Sequence, residues 1–224
     1  MNVDPLDPPG VIGIIAQDLA RFTAFASSLT ALQRPNGTQV VWKLGHQVAT
    51  QTNLLVEAML DSREAEWLWI LGDDHVFGPH ILDRLLAMEA DIAVPLCLTR
   101  FPPYRPVIYS GFAEDGKHRL PVDLTGKSGV IPVHSAGSGG MLIRRSVFEQ
   151  MEPPWFDSYQ ISGQEHSEDL HFCDKAREAG FSIRCDLEMS LGHCVTGAVW
   201  PVHEREGWTF GFSMAGDYII RIPA

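Results

Sequence analysis

The 224-residue chain has no hydrophobic run long enough to cross a bilayer. Its apolar stretches, such as "VIGIIA" at 11–16, fall far short of the roughly 20 residues that a spanning helix needs. The opening "MNVDPLDPPG" has no basic segment followed by an apolar one, so it does not read as a secretory leader, and the expected location is cytoplasmic. Cysteine is scarce. Cys97, Cys173, Cys185 and Cys194 form no CxxC pair and no metal-knuckle spacing, and their apolar neighbours suit buried thiols in a reducing compartment rather than a disulfide framework. Positive charge is also short: 17 Lys and Arg against 28 Asp and Glu give a net charge of −11. That balance disfavours non-specific attraction to nucleic acid or anionic lipid, while leaving room for a local basic patch at Arg100, Arg105, Arg144 and Arg145. Internal repeats and low-complexity linkers are absent too, which reads as one domain over 1–224. The sequence sets no oligomeric state.

What is present is an ordinary globular composition, 45% hydrophobic and 20% charged. A chain of this length buries roughly 70% of the surface that it exposes unfolded, so a core forms without covalent staples. "GVIGIIAQDLAR" begins as a buried strand feeding a polar loop, and "TQVVWKL" reads as a second strand. Val48, Thr52, Leu55 and Met59 recur at helical spacing. "AEWLWIL" predicts a third strand; "PHILDRLLAME" predicts a helix opening at Pro79 that buries Ile81, Leu82, Leu85 and Leu86; "ADIAVPL" predicts a fourth strand. This alternation over about the first hundred residues is the pattern of an α/β protein with a mostly parallel sheet flanked by helices. After residue 100 the texture changes to short strand candidates broken by Pro and Gly, with "EDGK" a hairpin turn, which predicts a smaller antiparallel part. "GMLIRRSVFEQM" reads as a strand running into a helix, "SEDLHFCDKAREAGF" as a helix stopped at Gly180, and "SIRCDLEMSLGH" as two short strands.

Four short stretches carry candidate chemistry. In "WLWILGDDHVFGPH", Asp73, Asp74 and His75 follow a strand at the sheet's carboxyl edge, where open parallel sheets bind ligands. Helix capping is the plainer role for such acids, but Asp74 lies five residues before Pro79, too early for a cap. Adjacent carboxylates repel unless a positive group lies beside them, and a divalent cation with oxygen ligands serves. "GSGGM" at 137–141 permits close backbone approach to a ligand and equally makes ordinary turns. In "SEDL" at 167–170, Ser167 can cap the helix while Glu168 and Asp169 complement its dipole, or one of the acids can serve as a general base. His193 in "LGHC" follows a strand and a glycine; alone, such a histidine is more often structural than a ligand.

Taken in order, these pieces resemble the nucleotide-sugar glycosyltransferases of the GT-A fold, and more closely the family-2-type glycosyltransferases often encoded by bacteriophages. In those, a "DDDH.F" loop precedes "R.PPY.PV.Y", "G.GGMLIRRSVF", "PWF", "EDL.FC.KA...GF" and "D....LGH". The chain has "GDDHVF", "RFPPYRPVIY", "GSGGMLIRRSVF", "PPWF", "EDLHFCDKAREAGF" and "DLEMSLGH", a match over roughly residues 40–195. It departs at one place: Gly72 stands where the family's DxD motif has its first acid, which commonly contacts the sugar or ribose.

The resemblance implies a GT-A (Rossmann-like) fold with a nucleotide-binding half over about 1–100, an acceptor and catalytic half over 101–195, and a tail over 196–224. It implies a hexosyltransferase that takes a sugar from a nucleotide-diphosphate donor, with UDP-sugar favoured, by inversion in the sense that a single carboxylate base implies. Asp74 and His193 become ligands of Mn²⁺ or Mg²⁺, and the imidazole in that set suits Mn²⁺ slightly better. Asp169, or else Glu168, becomes the catalytic base. Gln17, Asp18, Arg21, Asn53, Asp73, Gly139 and Gly140 fall on the donor side, and Arg100, Tyr104, Arg105, Gly137 and Ser138 on the acceptor side. The acceptor is either a hydroxymethylated base in phage DNA or a surface glycan, with no membrane span involved. Two other readings stand beside this one: a GT-A-fold module that binds a nucleotide sugar or glycan without turnover, and a metallophosphoesterase suggested by "GDDH" and "LGHC" but lacking an early DxH and a GNH.

Overall fold

The computed structural model describes residues 8–16, 23–45, 47–100, 103–116, 118–161, 164–194, 198–205, 207–214 and 218–222. The first half alternates strand and helix, with α1 and β4 added to the expected elements: β1 (Val11–Ala16), α1 (Thr23–Ala31), β2 (Gln39–Leu44), α2 (Val48–Asp61), β3 (Trp67–Gly72), the two-residue β4 (His75–Val76), α3 (Ile81–Leu86) and β5 (Ile92–Cys97). Then come β6 (Ile108–Phe112), β7 (Arg119–Pro121), β8 (Val130–Pro132), β9 (Ser135–Ala136), β10 (Leu142–Arg144), α4 (Arg145–Gln150), β11 (Tyr159–Ile161), β12 (Gln164–His166) and α5 (Glu168–Glu178). The chain finishes with β13 (Ile183–Cys194), β14 (Ala198–Glu204), β15 (Gly207–Met214) and β16 (Tyr218–Ile222).

The main sheet runs β16-β15-β14-β13-β5-β10-β3-β1-β2. β1 pairs parallel with β2 and β3, β13 pairs parallel with β5, and β10 lies antiparallel between β3 and β5. Strand periodicity splits the apolar residues between two cores. Ile12, Ile14, Trp67, Trp69 and Leu71 face the core under α1 and α3, whereas Val11, Ile15, Leu68 and Ile70 face the core under α2, α4 and α5. Each of the two tryptophans uses its one donor: Trp67 Nε1 donates to Pro8 O at 3.0 Å and Trp69 Nε1 to Gly140 O at 2.9 Å. The smaller antiparallel part expected after residue 100 is the sheet β7-β6-β9, whose β6–β7 hairpin turns through Glu114, Asp115 and Gly116.

Several local expectations are corrected. Val48 is exposed; Gln51 is buried in its place and accepts the Ala16 N–H at 3.3 Å. α3 starts at Ile81 rather than Pro79, and Leu86 is only half-buried. The "two short strands" near residue 190 are one 12-residue strand, β13, whose register with β5 shifts between Asp186 and Ser190. α1 has no counterpart in the sequence reading. The tail after residue 195 extends the sheet as the antiparallel run β14–β15–β16. Among the described residues, no helix is long and apolar enough to cross a membrane.

Candidate functional site

Because β3 and β5 run the same way, their ends at Gly72 and Cys97 open on one edge of the sheet. Past its bulge, β13 continues along that edge and pairs antiparallel with β4, setting His193 opposite His75. The backbone locks the crossing: Cys194 N–H donates to Asp74 O at 2.7 Å. Two segments separated by more than a hundred residues are thereby held within side-chain reach.

His193 Nδ1 lies 3.1 Å from Leu98 O. A carbonyl only accepts, so the ring proton sits on Nδ1 and the Nε2 lone pair faces outward. Nε2 lies 3.3 Å from Asp74 Oδ2, and the Arg100 guanidinium bridges the two, pairing with Asp74 Oδ2 through its terminal nitrogen and donating Nε–H to His193 Nε2 at 3.2 Å. Burial pushes the His193 pKa down, with Arg100 adding to the effect. Burial, with a further push from His193, holds His75 down at about 3, so His75 stays neutral through the physiological range. The two imidazoles lie 5.0 Å apart between centroids, and ligand atoms of His75, Cys97 and His193 all lie within 4.8 Å of one another.

Gly72 has a steric reason. A Cβ there would lie 2.6 Å from Asp74 Oδ1 and 2.9 Å from His75 Cε1. The His75 ring takes the space, with Nδ1 3.1 Å from both the N and the O of Gly72. Gly139 is constrained from the other side: a Cβ would lie 2.8 Å from His75 Nε2. His75 is thus wedged between two backbone surfaces that carry no side chain.

A cavity of about 230 Å³ opens here, lined among others by Asp74, His75, Arg100, Gly137, Ser138, Gly139, Asp169 and His193. Asp169 sits in the first turn of α5; its Oδ2 accepts Ser138 N–H at 3.1 Å, and its Oδ1 accepts Leu170 N–H at 2.7 Å and the Ser167 hydroxyl. Those bonds tie the glycine loop to the helix start and fix the carboxylate's direction. Glu168 does not line the cavity; burial raises its pKa, and Asp169 adds to the rise. Ser167 occupies the N-cap position of α5 without a side-chain cap to the backbone, its hydroxyl going to Asp169 instead.

Of the other sequence candidates, Asn53, Asp73, Gly140, Tyr104 and Arg105 do not line this cavity. Gln17, Asp18 and Arg21 lie outside the described residues. Asn53 uses its amide in the scaffold, donating to Ala49 O at 3.0 Å and Phe156 O at 2.7 Å and accepting Phe156 N–H at 3.0 Å. Gly140, at φ +79°, turns the chain towards β10 against Pro95 and Leu191 and does not line the cavity. Asp73 is buried at the strand end, its N–H donating to Ile15 O at 3.2 Å. Arg105 is exposed, its backbone bonded to Thr99, and Tyr104 faces a different, larger cavity next door. Sequence reasoning treated Cys97 as a plain core thiol; its place at the carboxyl end of a parallel strand was the available signal. Arg100, an acceptor-side candidate, lines the cavity beside Gly137 and Ser138, and its guanidinium pairs with Asp74 and His193.

No protein-family model and no curated protein sequence matches the chain. Solved structures do resemble it. A197 from STIV superposes with a TM-score of 0.64 at 14% identity, covering 96% of this chain and 98% of that one. GalNAc-T7, crystallised with UDP, GalNAc and Mn²⁺, superposes with a TM-score of 0.55 at 13% identity, covering 84% of this chain and 44% of that one. At such identities the likeness speaks for the fold, which is the GT-A fold.

Proposed function

We propose that the chain is a metal-dependent glycosyltransferase that moves a hexosyl group from a nucleotide-diphosphate sugar, UDP-linked by preference, to an acceptor hydroxyl with inversion. The observation that carries this reading is the meeting of Asp74 and His193 in one cavity with the carboxylate of Asp169, at the carboxyl edge of a GT-A sheet. The similarity to a chain crystallised with UDP, GalNAc and Mn²⁺ supports it.

The donor set fits a divalent cation. A carboxylate oxygen and an unprotonated imidazole nitrogen converge, and the spot between them already attracts the positive guanidinium of Arg100. Leu98 O fixes the His193 tautomer in the way that outer-shell carbonyls orient ligating histidines. Asp74 and His193 would hold Mn²⁺ or Mg²⁺, which when bound supplies neutralising charge for a diphosphate leaving group. The guanidinium and the cation want the same place, so Arg100 must swing away, free to pair with diphosphate oxygens. Asp169, fixed by three hydrogen bonds, takes the proton of the attacking hydroxyl, a contribution of about 10²–10⁴ in rate. His75 stays neutral and packs the loop.

The test is a thermal shift with UDP, GDP, CMP and dTDP, each with Mn²⁺ and each with EDTA. At a hundredfold excess over Kd, a ligand stabilises the folded chain by about 2.7 kcal/mol, a rise of a few degrees. We expect a shift with one nucleotide and Mn²⁺, lost in EDTA and lost in Asp74→Ala with the fold intact. Asp169→Asn should keep the shift and lose transfer by about 10²-fold or more. A metal-dependent shift that survives in Asp74→Ala would remove the ligand assignment. Gly72, in place of the family's first acid, keeps one other reading open: binding of a nucleotide sugar without turnover, which measured transfer would exclude.

A further inference from the structure

Next to the site lies a larger cavity, of about 590 Å³, well within the range that holds a small ligand. Leu98 lines both cavities. The larger one is walled by the segment after β5, the turn after β7 and the strands β14 and β15, so it lies on the β13–β15 side of Asp74 and His193. The exit of β1, where the resemblance sets the nucleotide, lies on the opposite side in the strand order. A group seated in the larger cavity would therefore approach the cation position from the side away from the nucleotide.

Its chemistry is specific. Tyr104, Trp208 and Phe210 supply aromatic faces, and the rings of Tyr104 and Phe210 lie 4.8 Å apart, inclined at 49°. Tyr104 holds φ +54°, a strained setting for a bulky residue, and one that puts its ring in this wall. The charged group in the lining is a carboxylate, Asp123, beside Thr125; among the described residues, no Lys or Arg lines the cavity. Aromatic faces with an acceptor at the rim suit a ring that has an apolar CH face and donor hydroxyls. They bring no cationic side chain to a phosphate, and the chain's net charge of −11 repels one further.

We infer that this cavity is the acceptor subsite and that it takes an uncharged hexopyranose unit of a glycan, stacked on Trp208 and Tyr104 with a hydroxyl donating to Asp123. The inference rests on the glycosyltransferase reading and names its substrate class. In the transfer, the acceptor hydroxyl oxygen bonds to the anomeric carbon as the bond from that carbon to the diphosphate oxygen breaks. The hydroxyl proton passes to Asp169, and the nucleoside diphosphate leaves with the electron pair.

The experiment is saturation-transfer NMR of the full chain with a panel of methyl hexopyranosides and their β-linked disaccharides, and with 5-hydroxymethyl-2′-deoxycytidine, in EDTA. Saturation should pass to the CH protons of at least one pyranoside. Trp208→Ala should weaken that binding about tenfold. Asp123 is exposed, so Asp123→Asn keeps the fold and should weaken binding severalfold even if Trp208→Ala fails to fold. The metal-dependent nucleotide shift, read on the same samples, should be unchanged in Asp123→Asn. Absence of transfer to every pyranoside, transfer undiminished in Asp123→Asn, or transfer to the deoxynucleoside alone would each overturn the inference. A pyranoside that binds as expected to a chain with no nucleotide shift would instead overturn the transferase reading and leave the sugar site standing.

Discussion

Gly72 is the residue where the pattern of the resembled family and the packing of this chain diverge. Restoring an acid there looks like a repair on paper. In the structure the added Cβ meets Asp74 Oδ1 at 2.6 Å and His75 Cε1 at 2.9 Å, so the acid at 74 and the ring at 75 must shift together. Overpacking of this kind costs about 1–3 kcal/mol. We therefore expect Gly72→Asp to lower the unfolding midpoint and to weaken metal-dependent nucleotide binding about tenfold, read by thermal shift at a series of nucleotide concentrations. A gain in affinity would mean that the ring yields and the missing acid was the real deficit. The same logic explains why glycine stands at 139, where His75 Nε2 would be 2.8 Å from a Cβ.

At the scale of elements, Asn53 separates scaffold from site. It lies on α2, and its amide holds the backbone of Phe156, whose ring stacks on Phe172 of α5 at 4.3 Å. It therefore links α2 to the helix that carries Asp169. Asn53→Ala leaves the Phe156 N–H and C=O without these partners, at a cost of about 1–3 kcal/mol. Urea unfolding should show that loss while the nucleotide shift, measured on the folded variant, persists; loss of nucleotide affinity at unchanged stability would return Asn53 to the donor side. What could be read from the sequence follows the same divide. β1, β3 and β5 were legible because each is a short continuous apolar run, as strands buried on both faces are, and α5 because acids open it, basic residues follow and Gly180 stops it. α1 was not: it buries Phe25 and Ser28, too few apolar positions to make a stripe. β13 was read as two strands because its bulge interrupts the alternation. The acidic loop, the glycine loop, the α5 start and His193 could be picked out one by one as motifs. Cys97, the bridging pose of Arg100 and the aromatic wall of Trp208 and Phe210 could not, since each acquires meaning only through strands that meet in space.

At the scale of the whole molecule, all four cysteines are free and buried. Burial raises the pKa of Cys97 and Cys173 to about 12 and of Cys194 to about 11, and pushes Cys185 up as well. Thiolate, the reactive form, is therefore scarce in the folded chain at pH 8. We expect a thiol-disulfide dye to label the native protein slowly and to report four thiols at once in guanidinium; fast labelling of the native chain would show that the interior opens readily. One topological feature bears on how the protein is made. β3 and β5 both belong to the first hundred residues, yet they do not touch as neighbours: β10, from residues 142–144, lies between them. The native sheet consequently cannot be completed until residues 142–144 have been synthesised, so the ledge that carries Gly72 and Cys97 depends on a strand made about forty residues after β5.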